Sequence, residues 1–280
     1  MATLQSYLND TRRLLHDARG SFFTDLDLTQ AINSACKRAV ADSTCYRRLQ
    51  TVYLSTGLEL YGYGQVSGCS VVSGGTGYSS PTVTFSAPPA GGTTAVGTVA
   101  STGGFITDIL VTNGGSGYTS APTMTFGGGG AGANVVASVI DINTLDTLNI
   151  TLIWGSRRII LNRTSFTEFQ ATIRGWVGMA QQPCVAAIYG QSQWYIGPIP
   201  NQSYVTEWDT VVNPPELVNT TDVSVITYPY TDPVPFYAAH TAKINEQSYK
   251  ESDKFLELYQ QKMRQAIRSS MMRKLPSAYG

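Results

Sequence analysis

Apolar residues near the start of the chain recur at helical spacing. Leu4, Tyr7, Leu8, Leu14 and Leu15 form one stripe, and Leu28, Ile32, Ala35 and Ala39 form another. The spacing predicts two helices between Leu4 and about Leu49, broken at Arg19-Gly20, with Asp27 as N-cap of the second. A third short helix is expected after Ser43. A hairpin this small cannot bury both stripes against itself and needs a further surface. The other end of the chain is helical too. From Phe236 to about Met272 one long helix is predicted, with Ala239, Ala242, Tyr249, Phe255, Tyr259, Met263 and Ile267 roughly along one side.

Between these ends, from about Gln65 to Ile140, the period changes from helical to alternating. Shifting this stretch by 40 residues aligns Val66 with Ile106, Cys69 with Ile109, Val71 with Val111 and Tyr78 with Tyr118. Pro81 and Phe85 meet Pro122 and Phe126 after one inserted residue, and Val99 then realigns with Val139. Each copy reads as three short strands, so two three-stranded halves facing each other are expected to form a sandwich. The Gly-Gly-x-Gly element at Gly74 and Gly114 supplies the positive φ of a tight turn, and the following Tyr can cover the open face that glycine leaves. Two copies are too few for a solenoid.

After Asp141, "LNITLIWGSRRIILNRT" reads as strand, turn at Gly155, and strand. "SFTEFQATIRGW" reads as a short helix capped by Ser165, with Glu168 at capping-box spacing. "SQWYIGPIPNQSYVTEWDTVV" reads as a hairpin turning at Pro-Asn-Gln-Ser, between Trp194–Ile199 and Tyr204–Val211.

Composition narrows the function classes. The 19 basic and 19 acidic residues cancel, so no overall field steers the molecule onto nucleic acid, and any such contact is local. Only 14% of residues are charged, and residues 65–140 hold most of the glycines and a single charge, Asp108. That balance suits β-rich surfaces and assembly interfaces. Cys36, Cys45, Cys69 and Cys184 lack metal spacing and are too few for a disulfide framework, so free thiols are expected. No signal-peptide core or membrane span is read, and synthesis in the cytoplasm is expected.

Candidate chemistry is sparse. His16 ends the first helix and His240 lies early in the last, and neither is accompanied by HExxH or GxSxG. "GGGGAG" at Gly127–Gly132 matches a dinucleotide fingerprint in form, yet a strand pattern follows it, so no helix N-terminus is there to hold a phosphate. Carboxylate pairs such as Asp222 and Asp232 are not selected by any spacing. No cofactor, metal or enzymatic activity is expected. One cluster stands out: Lys262, Arg264, Arg268, Arg273 and Lys274 follow one another without an acid. It reads either as a solvated helix end favoured by the helix dipole or as a surface for an acidic partner or DNA phosphates. Tyr78 and Tyr118, beside their glycine turns, read either as caps on a sandwich edge or as ring platforms for a sugar.

Three segments carry a resemblance: "YLNDTRRLLHDARGSFFTDLDLTQAINSACKRAVADS", "WYIGPIPNQSYVTEWDTVVNPPELVNTTDV" and "YPYTDPVPFYAAHTAKINEQSYKESDKFLELYQQKM". Read together, with residues 65–140 removed, they resemble the head-to-tail adaptor (connector) proteins of tailed bacteriophages, particularly short-tailed ones. The resemblance implies an α+β protein with a helical-bundle core, a long C-terminal helix and a projecting β-hairpin, built from residues 1–64 and 141–280 as one discontinuous domain. Residues 65–140 are then an inserted all-β domain, an immunoglobulin-like sandwich of two repeats. It further implies a virion structural protein forming a twelve-fold ring with itself. Such a ring docks under the portal protein, extends the channel through which genomic DNA passes, and carries the tail tube or nozzle and tail fibres. The basic C-terminal cluster, Lys262 to Lys274, would dock on the portal. No membrane contact is implied. The other expectation is a carbohydrate-binding or adhesin-type phage surface protein using the Tyr78 and Tyr118 loops.

Overall fold

The computed structural model describes residues 2–89, 91–172 and 179–270. It separates into two compact units, Met1–Arg47 with Val211–Gly280, and Arg48–Thr210. Among the described residues, strand takes 37% and helix 27%, in five small sheets and five helices, so the expected helical-bundle core gives way to a mainly β-sheet protein. The helices are α1 (Leu4–Leu14), α2 (Asp25–Ser43), α3 (Phe166–Thr172), α4 (Val234–Asn245) and α5 (Tyr249–Ser270).

The first unit holds α1, α2, α4 and α5, with α4 packed against the other three. α1 begins at a capping box in which Thr3 and Ser6 satisfy each other's backbone amides. The N-cap of α2 is Thr24 rather than Asp27: its hydroxyl accepts from the Asp27 amide and donates to the Asp27 carboxylate. The helix expected after Ser43 is absent. Thr44 adopts a left-handed conformation that ends α2, and a strand starts at Arg47. The long C-terminal helix is divided. α4 stops at Asn245, Gln247 takes φ +62°, and α5 restarts at Tyr249.

In the second unit, β1 (Arg47–Leu54) and β2 (Leu60–Gly62) precede the repeat. The repeat supplies β3 (Val66–Thr76), β4 (Val83–Phe85), β5 (Val96–Thr102), β6 (Phe105–Asn113), β7 (Met124–Phe126) and β8 (Ala131–Val139). After it come β9 (Thr144–Trp154), β10 (Arg157–Ile160), β11 (Asn162–Thr164), β12 (Val185–Tyr189), β13 (Gln193–Gly197) and β14 (Tyr204–Val212). Two four-stranded sheets, ordered β1-β14-β9-β10 and β11-β12-β13-β2, enclose one core. Trp194 of one sheet meets Trp208 of the other edge to face, with ring centroids 6.0 Å apart. The turn at Gly155, φ +59°, joins β9 to β10 as its sequence suggested. The hairpin expected around Pro-Asn-Gln-Ser does not form. β13 pairs with β12 and β2, whereas β14 pairs with β1 and β9, so this turn carries the chain from one sheet to the other.

The repeat has its own core, centred on Val66, Cys69, Phe85, Ile106, Ile109, Val111 and Tyr118. Its copies do not fold as separate three-stranded halves, and the immunoglobulin-like sandwich is replaced by three two-stranded pairs, β3-β8, β4-β7 and β5-β6. Every pair takes one strand from each copy. Cys69 faces Ala137 and its equivalent, Ile109, faces Val99. The third strands therefore correspond at 137 − 99 = 38 residues, so Val99 matches Ala137 rather than Val139. Both register shifts recur as well: those at Val66/Gly68 and Val71/Ser73 reappear opposite Ile106/Asp108 and Val111/Asn113. A pseudo-two-fold arrangement follows, because the first strand of each copy pairs with the third strand of the other in the same register.

Candidate functional site

The joint between α4 and α5 is built by local polar chemistry. The His240 Nδ1 lies 2.7 Å from the Ser252 hydroxyl and 3.0 Å from its carbonyl oxygen, and that hydroxyl donates to the His240 carbonyl at 3.1 Å. Such a pair could suggest a nucleophile and its base. Ser252 is only 1% exposed, however, and its hydroxyl is consumed in holding the two helices together, so the pair is a structural pin. Lys243 braces the same corner between Glu246 at 2.8 Å and Glu251 at 3.0 Å, and the hydrogen bond to Glu246 leads in raising its pKa.

With the corner fixed, the face of α5 is defined. Tyr259, Met263 and Ala266 are buried, and the Tyr259 hydroxyl donates to Asp42 of α2 at 2.9 Å. Burial, followed by the Asp42 carboxylate, holds the Tyr259 pKa above its ordinary value. Asp42 also receives Arg38 at 2.9 Å. Lys262, Arg264 and Arg268 are exposed. Arg264 and Arg268, one turn apart, form a ridge opposite the buried residues, and Arg264 donates to the Gln260 carbonyl at 3.2 Å. Lys262 stands on the flank of the helix. Arg273 and Lys274, expected in the same cluster, lie outside the described residues.

Lys262 also lines a cleft of about 270 Å³ within the helical unit, shared with Tyr7, Asp10, Arg13, Asp232 and Phe236. Arg13 reaches Asp10 at 3.0 Å and is 80% exposed. Sequence reasoning missed this cleft, since Asp232 and Arg13 are brought together only by the packing of α1 against α4. Neither does any spacing mark the loop between α1 and α2, where the Asp17 carboxylate accepts from the amides of Ser21, Phe22 and Phe23. The only local signal is "DARGSFF", an acid followed by a glycine turn and two aromatics.

Tyr78 and Tyr118 are core residues, 8% and 2% exposed, which corrects their reading as a surface ligand loop. The Tyr118 hydroxyl donates to the Ser86 carbonyl and accepts from the Ala95 amide, each at 3.0 Å. The Tyr78 ring lies against Gly130, where a Cβ would overlap it. Stacking on a sugar needs an open ring face, and neither tyrosine presents one. "GGGGAG" thus serves packing: Gly130 makes room for Tyr78, and β8 starts at Ala131.

All four cysteines are free, and burial pushes Cys36 and Cys69 up to about 12, so neither is a ready thiolate. Among the described residues no three His, Cys, Asp or Glu side chains gather as a metal site requires, and no helix is long and apolar enough to cross a membrane. No protein-family model matches the chain, and no curated protein matches it.

Proposed function

We propose that the chain is a virion structural protein of a tailed bacteriophage, a subunit of the head-to-tail adaptor ring that docks under the portal. The observation that carries this reading is the origin of the helical unit: both ends of the chain, where two of the three resembling segments lie, pack into one body. Its helix α5 offers the exposed Lys262, Arg264 and Arg268 without an acid after Glu257. A cationic ridge of that kind attracts an acidic protein surface or the phosphates of passing DNA. The third resembling segment gives no support, because its hairpin is replaced by strands of two different sheets. In this reading the subunit forms a closed twelve-fold ring, lengthens the DNA channel and supports tail parts, with no chemical step of its own. The virion is its location.

The reading is tested by mixing the purified chain with portal rings and imaging the product. A second ring stacked on the portal is expected. Portal rings that remain bare at saturating chain concentration would overturn it.

A further inference from the structure

Phe22 is the most exposed large apolar residue of the described chain, at 84%, and Leu26 follows it at 67% in the first turn of α2. An aromatic so placed usually sits on a loose loop. This loop is instead wrapped around an ion pair. Ser21, Phe22 and Phe23 donate their amides to the Asp17 carboxylate at 2.8, 3.2 and 3.0 Å. Arg12 donates to the Asp17 carbonyl and carboxylate at 3.4 Å, to the Phe23 carbonyl at 3.1 Å and to the Asp25 carboxylate at 2.6 Å. Gly20 completes the fit with φ +66°, where a Cβ would come 3.0 Å from the Arg12 guanidinium. The backbone under Phe22 is thus held before any partner arrives, which lowers the ordering cost of binding through it. Desolvated aromatic anchors of this sort carry much of the affinity of protein interfaces.

The same helical unit contains a receptor of matching size. A cavity of about 150 Å³ holds a benzene ring, and the cleft between α1, α4 and α5 measures about 270 Å³. Tyr7, Leu14, Pro235 and Phe236 supply its apolar lining. Its charges complement those around the knob. With Arg13 held by Asp10 and Asp25 by Arg12, Lys262 at the cleft can meet the exposed Asp27 beside Leu26, while Asp232 can meet the exposed Arg19. Phe22 is open to solvent, so it does not fill the cleft of its own chain.

We infer that the occupant is a second copy of this chain: the Phe22–Leu26 knob of one subunit enters the α1/α4/α5 cleft of the next. The contact joins two unlike surfaces, the kind of interface from which rings are closed. It deepens the adaptor reading and rests on it for the setting in which copies meet.

The test places a photo-crosslinking benzoyl-phenylalanine at position 22 of the full chain, with and without portal rings, and maps the peptides of covalent dimers. Crosslinks into residues 2–14 or 231–236 of the second copy are expected. Phe22→Ser should weaken self-association more than about tenfold with an unchanged circular dichroism melt, and Arg19→Glu with Asp232→Lys together should recover association that either loses alone. Absence of covalent dimers, or dimers mapping elsewhere, would overturn the inference. So would Phe22-dependent flotation with anionic vesicles in the absence of dimers. A wild-type chain that stacks on portals while its crosslinks map elsewhere sinks this contact alone. Correctly mapped dimers with no affinity for portals sink the adaptor reading alone.

Discussion

The Arg12 guanidinium and the Asp17 carboxylate meet at 3.4 Å beneath the loop that exposes Phe22. The Phe23 amide leads, with those of Ser21 and Phe22 and the Arg12 charge, in holding the Asp17 carboxyl below the usual carboxylate range. A depressed folded-state pKa adds stability above the unfolded value, about 4, and that contribution fades as pH falls through the folded value. Wild type should therefore lose part of its advantage over Asp17→Asn in urea denaturation as pH falls below about 4. A constant gap through that fall would show that Asp17 does not act through its charge.

Gly75 and Gly115 occupy equivalent positions of the repeat at φ +64° and +68°, and a Cβ at either would overlap a facing backbone carbonyl, that of Ala131 or Thr93. Gly75→Ala and Gly115→Ala should each destabilise by more than about 1 kcal/mol. The pseudo-two-fold pairing predicts similar losses at both, measured as shifts in thermal midpoint. A loss at one site and none at the other would argue against equivalent positions.

Much of this organisation is legible in the amino-acid sequence, and the misses have physical causes. The α1 stripe, the Gly155 turn and the strands of each repeat copy rest on local periodicity and turn chemistry. The exchange of strands between copies does not, because pairing register is a non-local property: a shift of 40 residues aligns the first strands, whereas the pairing of Val99 with Ile109 sets 38 for the third. The turn after Ile199 is readable, yet its flanking strands go to different sheets, a choice made by Trp194 and Trp208 packing across the core. The division of the last helix hinges on Gln247, a residue with no strong breaking signal. The cation ridge on α5 is readable from sequence. The cleft beside it is not, since Arg13 and Asp232 are far apart in the chain.

Trp208 is fully buried, and its indole donates to Thr206 at 2.9 Å. Trp208→Ala should cost about 3–5 kcal/mol. The urea midpoint should fall with little change in slope, and an effect under about 1 kcal/mol would mean that the two sheets do not share this core.

Tyr118→Phe leaves the Ala95 amide and the Ser86 carbonyl without the hydroxyl they share. The expected loss is about 1–3 kcal/mol, read as a lower thermal midpoint. An unchanged midpoint would mean that the Tyr118 hydroxyl does not help to hold the repeat together.

Arg264 and Arg268 stand clear of the buried face of α5, so Arg264→Glu with Arg268→Glu should shift stability by less than about 0.5 kcal/mol per site. Portal binding, measured by co-sedimentation at low and high salt, should be lost in the variant and weakened by salt in the wild type. Full affinity in the variant would assign docking to another surface.

The most direct measurement is cryo-electron microscopy of the portal vertex in purified virions of the phage that encodes the chain, with the protein identified in those particles by mass spectrometry. The account predicts a closed ring of this chain directly beneath the portal, its helical unit in contact with the portal. Absence of the chain from virions, or density for it only at sites remote from the portal, would contradict the account.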